Sequence, residues 1–237
     1  MRQSGFTLLE LSIVLVIIGL IIGGVTVGSE LIRQAELQSV IRDMKNYESV
    51  IYTYRLKYRA IPGDHNNATT YWPSGTSNGN GDGSIGDHND AGAALDEDGK
   101  VWQHLALAGL LNMAPATSLW PQVIGTNMPA SRLKGAGYRY QSGDGAAPFN
   151  RTQFHMVVGT TNSCFDLYCP VFLPAESYSL DQKIDDGLPM SGMITGESFY
   201  APADCIVGAT SGNRRGSNTY ALDKSSVGCN LMYWYNQ

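Results

Sequence analysis

The sequence predicts an α+β protein in which one long N-terminal helix carries a head of short helices and an antiparallel sheet. Residues 6–58 contain no proline, and their apolar residues recur at three- and four-residue steps. From residue 61 onward Pro, Gly, Asn and Asp become frequent, which indicates that the helix ends there. Beyond residue 112, strand-like segments follow the helices without regular alternation, and this order favours an antiparallel sheet.

Composition narrows the class of protein. The chain has 237 residues and 43% hydrophobic content, enough for one sizeable domain or two small ones. Lys and Arg total 16 against 21 Asp and Glu, a net charge of -5. This balance argues against a broad phosphate-binding surface, so we expect no nucleic-acid partner.

The cysteines lie in the C-terminal third, which suits disulfides made outside the cytoplasm. They are Cys164, Cys169, Cys205 and Cys229. Four cysteines allow three pairings, and nearness in sequence favours Cys164 with Cys169 and Cys205 with Cys229, although spacing alone does not decide. A tetrahedral zinc site is the alternative, but the sequence offers it neither a C-x-x-C step nor a neighbouring histidine.

The N-terminal run is long enough to span a membrane. Residues 6–27 carry Glu10 as their only charge, and at about 1.5 Å per residue they form a helix of about 33 Å. A secretory signal peptide is the alternative, but it would have a shorter apolar core and a more basic start than Arg2 alone. We therefore predict one helix over residues 6–58, apolar to residue 28 and amphipathic beyond it.

The stretch "GFTLLELSIVLVIIG" resembles the class III signal and assembly helix of type IV pilins and of type II secretion pseudopilins. The consecutive matches are Gly5, Phe6, Thr7, Leu8, Leu9 and Glu10. The resemblance implies that a prepilin peptidase removes residues 1–5, cutting between Gly5 and Phe6, and methylates Phe6. It also implies a pilin-like fold, in which the helix packs on the antiparallel sheet of a head formed by residues 59–237.

Glu10 needs an explanation, because an isolated carboxylate in hydrocarbon costs several kcal/mol unless it is protonated or paired. The sequence has no Lys or Arg within a helical turn of it. The nearest cation is the α-amino group of Phe6, exposed after cleavage and supplied by an adjacent copy. We therefore predict that Glu10 is an assembly contact, a role that the family resemblance also implies. An interfacial carboxylate without a partner is the alternative.

The helix has glycines where many major pilins have a proline. They are Gly19, Gly23, Gly24 and Gly28. Two interpretations stay open: local melting near Gly23 and Gly24 inside a filament, or close approach of neighbouring helices.

The best candidate metal site is the stretch "NGNGDGSIGDHND", residues 78–90, which resembles a calcium loop. The candidate ligands are Asn78, Asn80, Asp82, Ser84, Asp87 and Asp90. The first three occupy positions one, three and five, and Gly83 supplies the sharp turn. Position twelve is Asn89 instead of a bidentate Glu, so Asp87 and Asp90 would have to substitute. A plain surface loop rich in Asn and Gly is the alternative.

Further elements of the head follow from local patterns. We predict a helix near residues 67–72, capped by Asn66 or Asn67. A second helix begins at Asp96 or Asp98 as its N-cap, and its apolar face extends to Leu111. A third covers residues 174–184. The predicted strands cover residues 137–141, 154–160, 193–199, 204–209 and 229–235.

The rest of the head offers little chemistry. Asp181, Asp185 and Asp186 lie near Lys183 and favour a capped, salt-bridged turn over a second cation site or an acid–base pair. The sequence has no P-loop, Rossmann or G-x-S-x-G pattern, so we do not expect an enzyme. The aromatic residues suit a core, although the C-terminal "LMYWYNQ" could expose rings for adhesion.

These patterns predict a structural subunit of a type IV pilus-like filament, either a major or a minor pilin. Its partners would be identical or related subunits and the prepilin peptidase. As a prepilin it would lie in the bacterial inner membrane, and after processing in an extracellular or periplasmic filament. The alternatives are a pseudopilin of a type II secretion system and an adhesive or ligand-binding head on a pilin stem.

Overall fold

A computed structural model of the chain describes residues 7–86, 97–119, 121–142, 153–161, 168–197, 202–210 and 216–235. The predicted roles of Gly5, Phe6, Asp87, Asp90 and Cys164 fall outside the described residues. In chain order the elements are α1 (Leu8–Tyr58), α2 (Ala68–Tyr71), α3 (Glu97–Leu107), β1 (Gly137–Ser142), β2 (Phe154–Gly159), α4 (Pro174–Ile184), β3 (Ile194–Glu197), α5 (Pro202–Cys205) and β4 (Asn230–Trp234).

Helix α1 contains 51 residues, so it is about 77 Å long. It begins after the N-cap residue Thr7 and ends at Arg59, which adopts a left-handed conformation with φ 54 and donates its N–H to the carbonyl of Arg55. The helix continues without a break through the glycine-containing segment 19–28. These glycines therefore do not interrupt the helix of the single chain.

The two halves of α1 have different surroundings. From Leu8 to Ile32 the large apolar side chains are exposed, with Leu8 at 89%. From Leu37 onward one face is buried against the head, through Leu37, Val40, Met44, Tyr47, Ile51 and Tyr54. The three- and four-residue spacing of this second set places its side chains on one stripe of the helix. We call residues 8–32 the stem and the second half of α1 the docked half.

The sheet has four strands in the order β1-β2-β4-β3, and every neighbouring pair is antiparallel. The last strand in the sequence therefore lies inside the sheet, with Met232 opposite both Val157 and Thr195. The predicted α+β architecture, a long helix with an antiparallel sheet and short helices, is confirmed. The docked half packs on the sheet and on α3, where the Tyr47 ring contacts the rings of Tyr138 in β1 and Trp102 in α3 at 5.0 and 5.2 Å.

The helices of the head agree with the predictions except at their caps. Helix α4 has the predicted bounds and places Pro174 in its first turn, where a missing N–H costs nothing. In α3, Asp98 lies inside the first turn and is not the N-cap, and Leu111 follows the helix end. The alternative N-cap, Asp96, lies outside the described residues. Asn67 precedes α2, but its side chain makes no capping hydrogen bond.

The strand predicted at residues 204–209 is wrong. The segment Pro202–Cys205 forms the short helix α5, and Ile206 keeps a single antiparallel bridge to Tyr220. Proline suits a first helical turn and has no N–H for a sheet ladder, while Gly208 turns the chain with φ 71. The C-terminal aromatic residues Tyr233 and Trp234 are buried, which agrees with their predicted place in the core and not with the alternative of rings exposed for adhesion.

Candidate functional site

Glu10 caps its own helix. Its Oε2 accepts hydrogen bonds from the backbone N–H of Thr7 at 2.8 Å and from the Thr7 hydroxyl at 2.9 Å. In return, the Glu10 N–H donates to Thr7 Oγ1 at 3.3 Å, which completes a capping box. A search for opposite charge alone does not find this partner, because Thr7 is neutral. The signal was present as the T-x-x-E pattern of residues 7–10.

The capping box leaves part of the carboxylate available. Glu10 is exposed, and within the described residues its Oε1 accepts no hydrogen bond. A negative charge in the first turn also interacts favourably with the helix dipole. Glu10 can therefore cap α1 through one oxygen and accept a further donor through the other.

The stem is apolar and uncovered. Its most apolar window has a mean hydropathy of 2.7 and no buried residue, so by length and composition this helix can cross a membrane. Its exposed large apolar residues are Leu8, Leu9, Leu11, Ile13, Val14, Leu15, Val16, Ile17, Ile18, Leu20, Ile21, Ile22, Val25, Val27, Leu31 and Ile32. The stem therefore presents apolar side chains around its whole circumference.

Acidic side chains of the docked half bind tyrosines of the sheet. The Tyr138 hydroxyl donates to Asp43 Oδ2 at 2.8 Å, and the Tyr233 hydroxyl donates to Glu48 Oε2 at 3.0 Å. Burial, together with the Glu48 carboxylate, raises the pKa of Tyr233 to about 12. The Tyr233 hydroxyl therefore stays protonated at neutral pH and keeps its hydrogen bond to Glu48. The two hydrogen bonds connect the sheet to α1.

Two carboxylates outside the predicted calcium loop organise it. Asp64 Oδ1 accepts the N–H groups of Gly81 and Asp82 at 2.5 and 3.1 Å, and its Oδ2 accepts that of Gly83 at 2.9 Å. Glu97 accepts the N–H groups of Asn80 and Gly86 at 2.9 and 3.1 Å. Burial raises the pKa of both carboxyl groups. The backbone hydrogen bonds lower it, but the effect of burial is larger. No local pattern pointed to Asp64 or Glu97, because each is distant in sequence from most of its partners.

Three of the predicted ligands, Asn78, Asn80 and Asp82, already use side-chain oxygens to accept hydrogen bonds. Asn78 Oδ1 accepts from the Thr69 N–H at 2.9 Å, and Asn80 Oδ1 accepts from the Asp82 N–H at 2.8 Å. Asp82 Oδ1 accepts from the backbone and the hydroxyl of Ser84 at 2.9 and 2.7 Å. A cation would have to share or displace these bonds. Calcium binding at residues 78–90 stays a prediction.

Cys205 and Cys229 form a disulfide with a Cα–Cα distance of 4.9 Å, the pairing that nearness in sequence favours. Their sulfur atoms are bonded to each other and are therefore not available as zinc ligands. Cys169 is also in a disulfide. Its favoured partner, Cys164, lies outside the described residues.

Asp181, Asp185 and Asp186 form a cluster in which one carboxylate oxygen of each lies within 4.8 Å of the others. Buried Asp181 accepts from the Tyr220 hydroxyl at 2.8 Å and from the Gly187 N–H at 3.1 Å. Burial raises the pKa of Asp181 to about 6, and the neighbouring carboxylates add to the effect.

The other two carboxylates of the cluster cap the turn after α4. Asp186 accepts from the Leu188 N–H and the Ser191 hydroxyl, and Asp185 accepts from the N–H groups of Met193 and Ile194. The capped turn agrees with the prediction. Its salt bridge does not, because within the described residues these carboxylates form no ion pair.

Comparison with known proteins adds one finding. Residues 1–26 match the family described as the prokaryotic N-terminal methylation motif. No curated protein and no solved structure matches the chain.

The motif and the geometry agree with each other. The motif implies processing by a prepilin peptidase and assembly with other pilin subunits, and the apolar helix indicates insertion into a membrane. The motif covers the start of a 51-residue helix whose stem is exposed and whose docked half carries a four-stranded antiparallel sheet. The N-terminal methylation motif together with the long N-terminal apolar helix supports a type IV pilin-like prepilin.

Proposed function

We propose that the protein is a structural subunit of a type IV pilus-like filament, assembled through its stem with identical or related copies. The observation that carries this proposal is the division of α1 into an exposed apolar stem and a docked half. Each Leu or Ile side chain left in water costs about 1.5–3 kcal/mol relative to burial. The stem therefore requires a membrane before assembly and the stems of other copies after it. The role that we infer is structural and not catalytic.

Processing creates the cation that Glu10 needs. After removal of residues 1–5, the chain would begin with the methylated amine of Phe6. A neighbouring copy could place this amine at Glu10 Oε1 without breaking the capping box. Mass spectrometry of the mature protein should find Phe6 as the first residue, with the mass of one added methyl group. An uncleaved chain in assembled filaments would contradict this step.

Two substitutions at Glu10 separate helix capping from charge pairing. Glu10→Gln keeps a side chain that can complete a capping box but removes the charge, whereas Glu10→Ala removes both. If Glu10 pairs with an amine, both variants should fail to enter filaments, as measured by immunoblotting of sheared filament fractions. If Glu10→Gln enters filaments as the wild type does, its role is capping alone.

Imaging distinguishes the kinds of subunit. Antibody against the head should label native filaments continuously if the protein is a major pilin, and at the tip alone if it is a minor one. Absence from surface filaments, together with loss of protein secretion in a deletion strain, would instead support the pseudopilin alternative. Glycan binding by the purified protein would support the adhesive alternative.

A further inference from the structure

The outward face of the docked half carries two exposed cations. Arg42 and Lys45 are exposed, and in the described part of the chain neither forms an ion pair or a side-chain hydrogen bond. The acidic residues of this half are engaged within the chain, since Glu36 lies 3.6 Å from Arg33 and both Asp43 and Glu48 bind tyrosines. Asp43 and Glu48 are directed to tyrosines of the sheet, so the exposed charges of the outward face at this level include Arg42 and Lys45.

The head carries a matching excess of negative charge in the cluster of Asp181, Asp185 and Asp186. Asp186 is exposed and Asp185 is partly exposed, so a cation from outside can reach both. The described residues supply no cation within ion-pair distance of this cluster. Carboxylates this close repel one another unless a cation compensates them.

A chain of contacts connects the carboxylate cluster to α1. Asp185 accepts the N–H of Ile194, Ile194 lies opposite Tyr233 in the sheet, and the Tyr233 hydroxyl donates to Glu48 of α1. The cluster is therefore linked to Glu48 through the sheet. Lys45 and Arg42 precede Glu48 by three and six residues, roughly 4.5 and 9 Å along the helix axis.

We propose that Arg42 and Lys45 of one copy bind the Asp185 and Asp186 carboxylates of a neighbouring copy. This inference rests on the proposed filament, in which copies lie side by side. In such an arrangement the outward face of one helix can lie beside the head of the next copy. Arg42 contributes a planar guanidinium that can bind a carboxylate at two points, and Lys45 contributes a compact charge. The contact joins the helix of one copy to the head of the next, outside the apolar packing of the stems.

Charge reversal and charge exchange test the contact. Arg42→Glu together with Lys45→Glu should reduce assembled filaments at least tenfold, and adding Asp186→Lys should restore a substantial part of the loss. Lys224→Glu reverses an exposed cation elsewhere on the head and should leave assembly unchanged. Assembly by the double variant at the wild-type level would overturn the inference while leaving the filament proposal intact. A wild-type chain that never enters filaments would overturn both.

Cross-linking tests proximity without relying on the charge-reversed protein. Chains with Lys45→Cys and chains with Asp186→Cys would be co-expressed, and the filaments treated with a bis-maleimide. A cross-linked dimer that contains one chain of each kind is expected, whereas Lys224→Cys paired with Asp186→Cys should give none. Filaments without the first product would overturn the inference. If this product is absent and the Arg42→Glu, Lys45→Glu variant also binds membranes more weakly than the wild type, the two cations bind anionic lipid instead.

Discussion

Arg33 and Glu176 form a two-point ion pair, with Arg33 Nε at 2.6 Å from Glu176 Oε1 and Arg33 Nη2 at 2.7 Å from Oε2. Arg33 follows directly after the stem, and Glu176 lies in the first turn of α4. Glu176 also accepts the Leu173 N–H at 2.9 Å, so it caps α4 as well. The hydrogen bond to Glu176 raises the pKa of Arg33. The pair joins the head to α1 at the point where the exposed stem ends.

Removing one charge of this pair should lower the stability of the folded protein. Glu176→Gln keeps the size of the side chain and an acceptor for the Leu173 N–H but loses the ion pair. We expect a loss of about 1 kcal/mol in the free energy of unfolding, shrinking as salt rises. Urea unfolding of the full chain in detergent measures it. Glu30→Gln, a change at an exposed carboxylate on α1, is the control, and an equal loss in both variants would contradict the prediction.

Asp181 should make stability depend on pH. Its pKa in the folded protein, about 6, lies above its ordinary value of 3.8. Between these values the native state binds more protons than the unfolded state, so stability should fall as pH rises from about 4 to about 6. The loss should be at most about 3 kcal/mol, at about 1.4 kcal/mol per unit of pKa.

The matched test compares Asp181→Asn with Asp223→Asn. The first variant replaces the titrating carboxyl with a neutral amide and should flatten the decline in melting temperature between pH 4 and pH 6. The second changes an exposed carboxylate and should keep the wild-type profile. Parallel profiles for the wild type and Asp181→Asn would show that this group does not titrate in that range.

The disulfide between Cys205 and Cys229 should stabilise the head. It links residues separated by 24 positions and joins α5 to the start of β4. Closing a loop of this length in the unfolded chain corresponds to about 3 kcal/mol. Replacing both cysteines with serine should lower the free energy of unfolding by that order in urea titrations. An unchanged unfolding midpoint would mean that the crosslink does not constrain the unfolded chain.

Gly79 should be intolerant of any side chain. A Cβ at this position would overlap backbone atoms of Gly63 and Asp64. Backbone atoms cannot move aside as the end of a flexible side chain can. We expect Gly79→Ala to cost at least about 2 kcal/mol and to release the loop held by Asp64. Gly75→Ala is the matched control, because its Cβ would lie 3.0 Å from the end of the Leu107 side chain, which can move. Similar melting temperatures for the two variants would contradict the steric argument.

Calcium binding at residues 78–90 predicts a thermal shift. If the loop binds calcium, the melting temperature should rise with millimolar calcium in the wild type and should not rise in Asp82→Ala. The Asp82 carboxylate already binds Ser84, so a destabilised variant without calcium is expected in either case. The informative measurement is therefore the response to calcium, and no response in the wild type would remove the metal site.

Some parts of the structure were predictable because they depend on neighbouring residues. The bounds of α4 follow from Pro174 at its start and from the Asp-Gly and Pro turn signals after its end. In contrast, residues 204–209 look like a strand locally, but Pro202 and the turn at Gly208 redirect the chain. The capping role of Glu10 was also local, but a search for opposite charge alone does not find it.

The sequence by itself determined the methylation motif, the length of α1 and the point at which the head begins. These features arise from consecutive residues, whose helical periodicity, apolar run and turn residues act over a few positions. Only the tertiary structure decided that β4 lies between β2 and β3, that Arg33 meets Glu176 and that Asp64 and Glu97 organise a glycine-rich loop. Such contacts join distant residues, and each forms only where packing of the whole head brings both partners to one place.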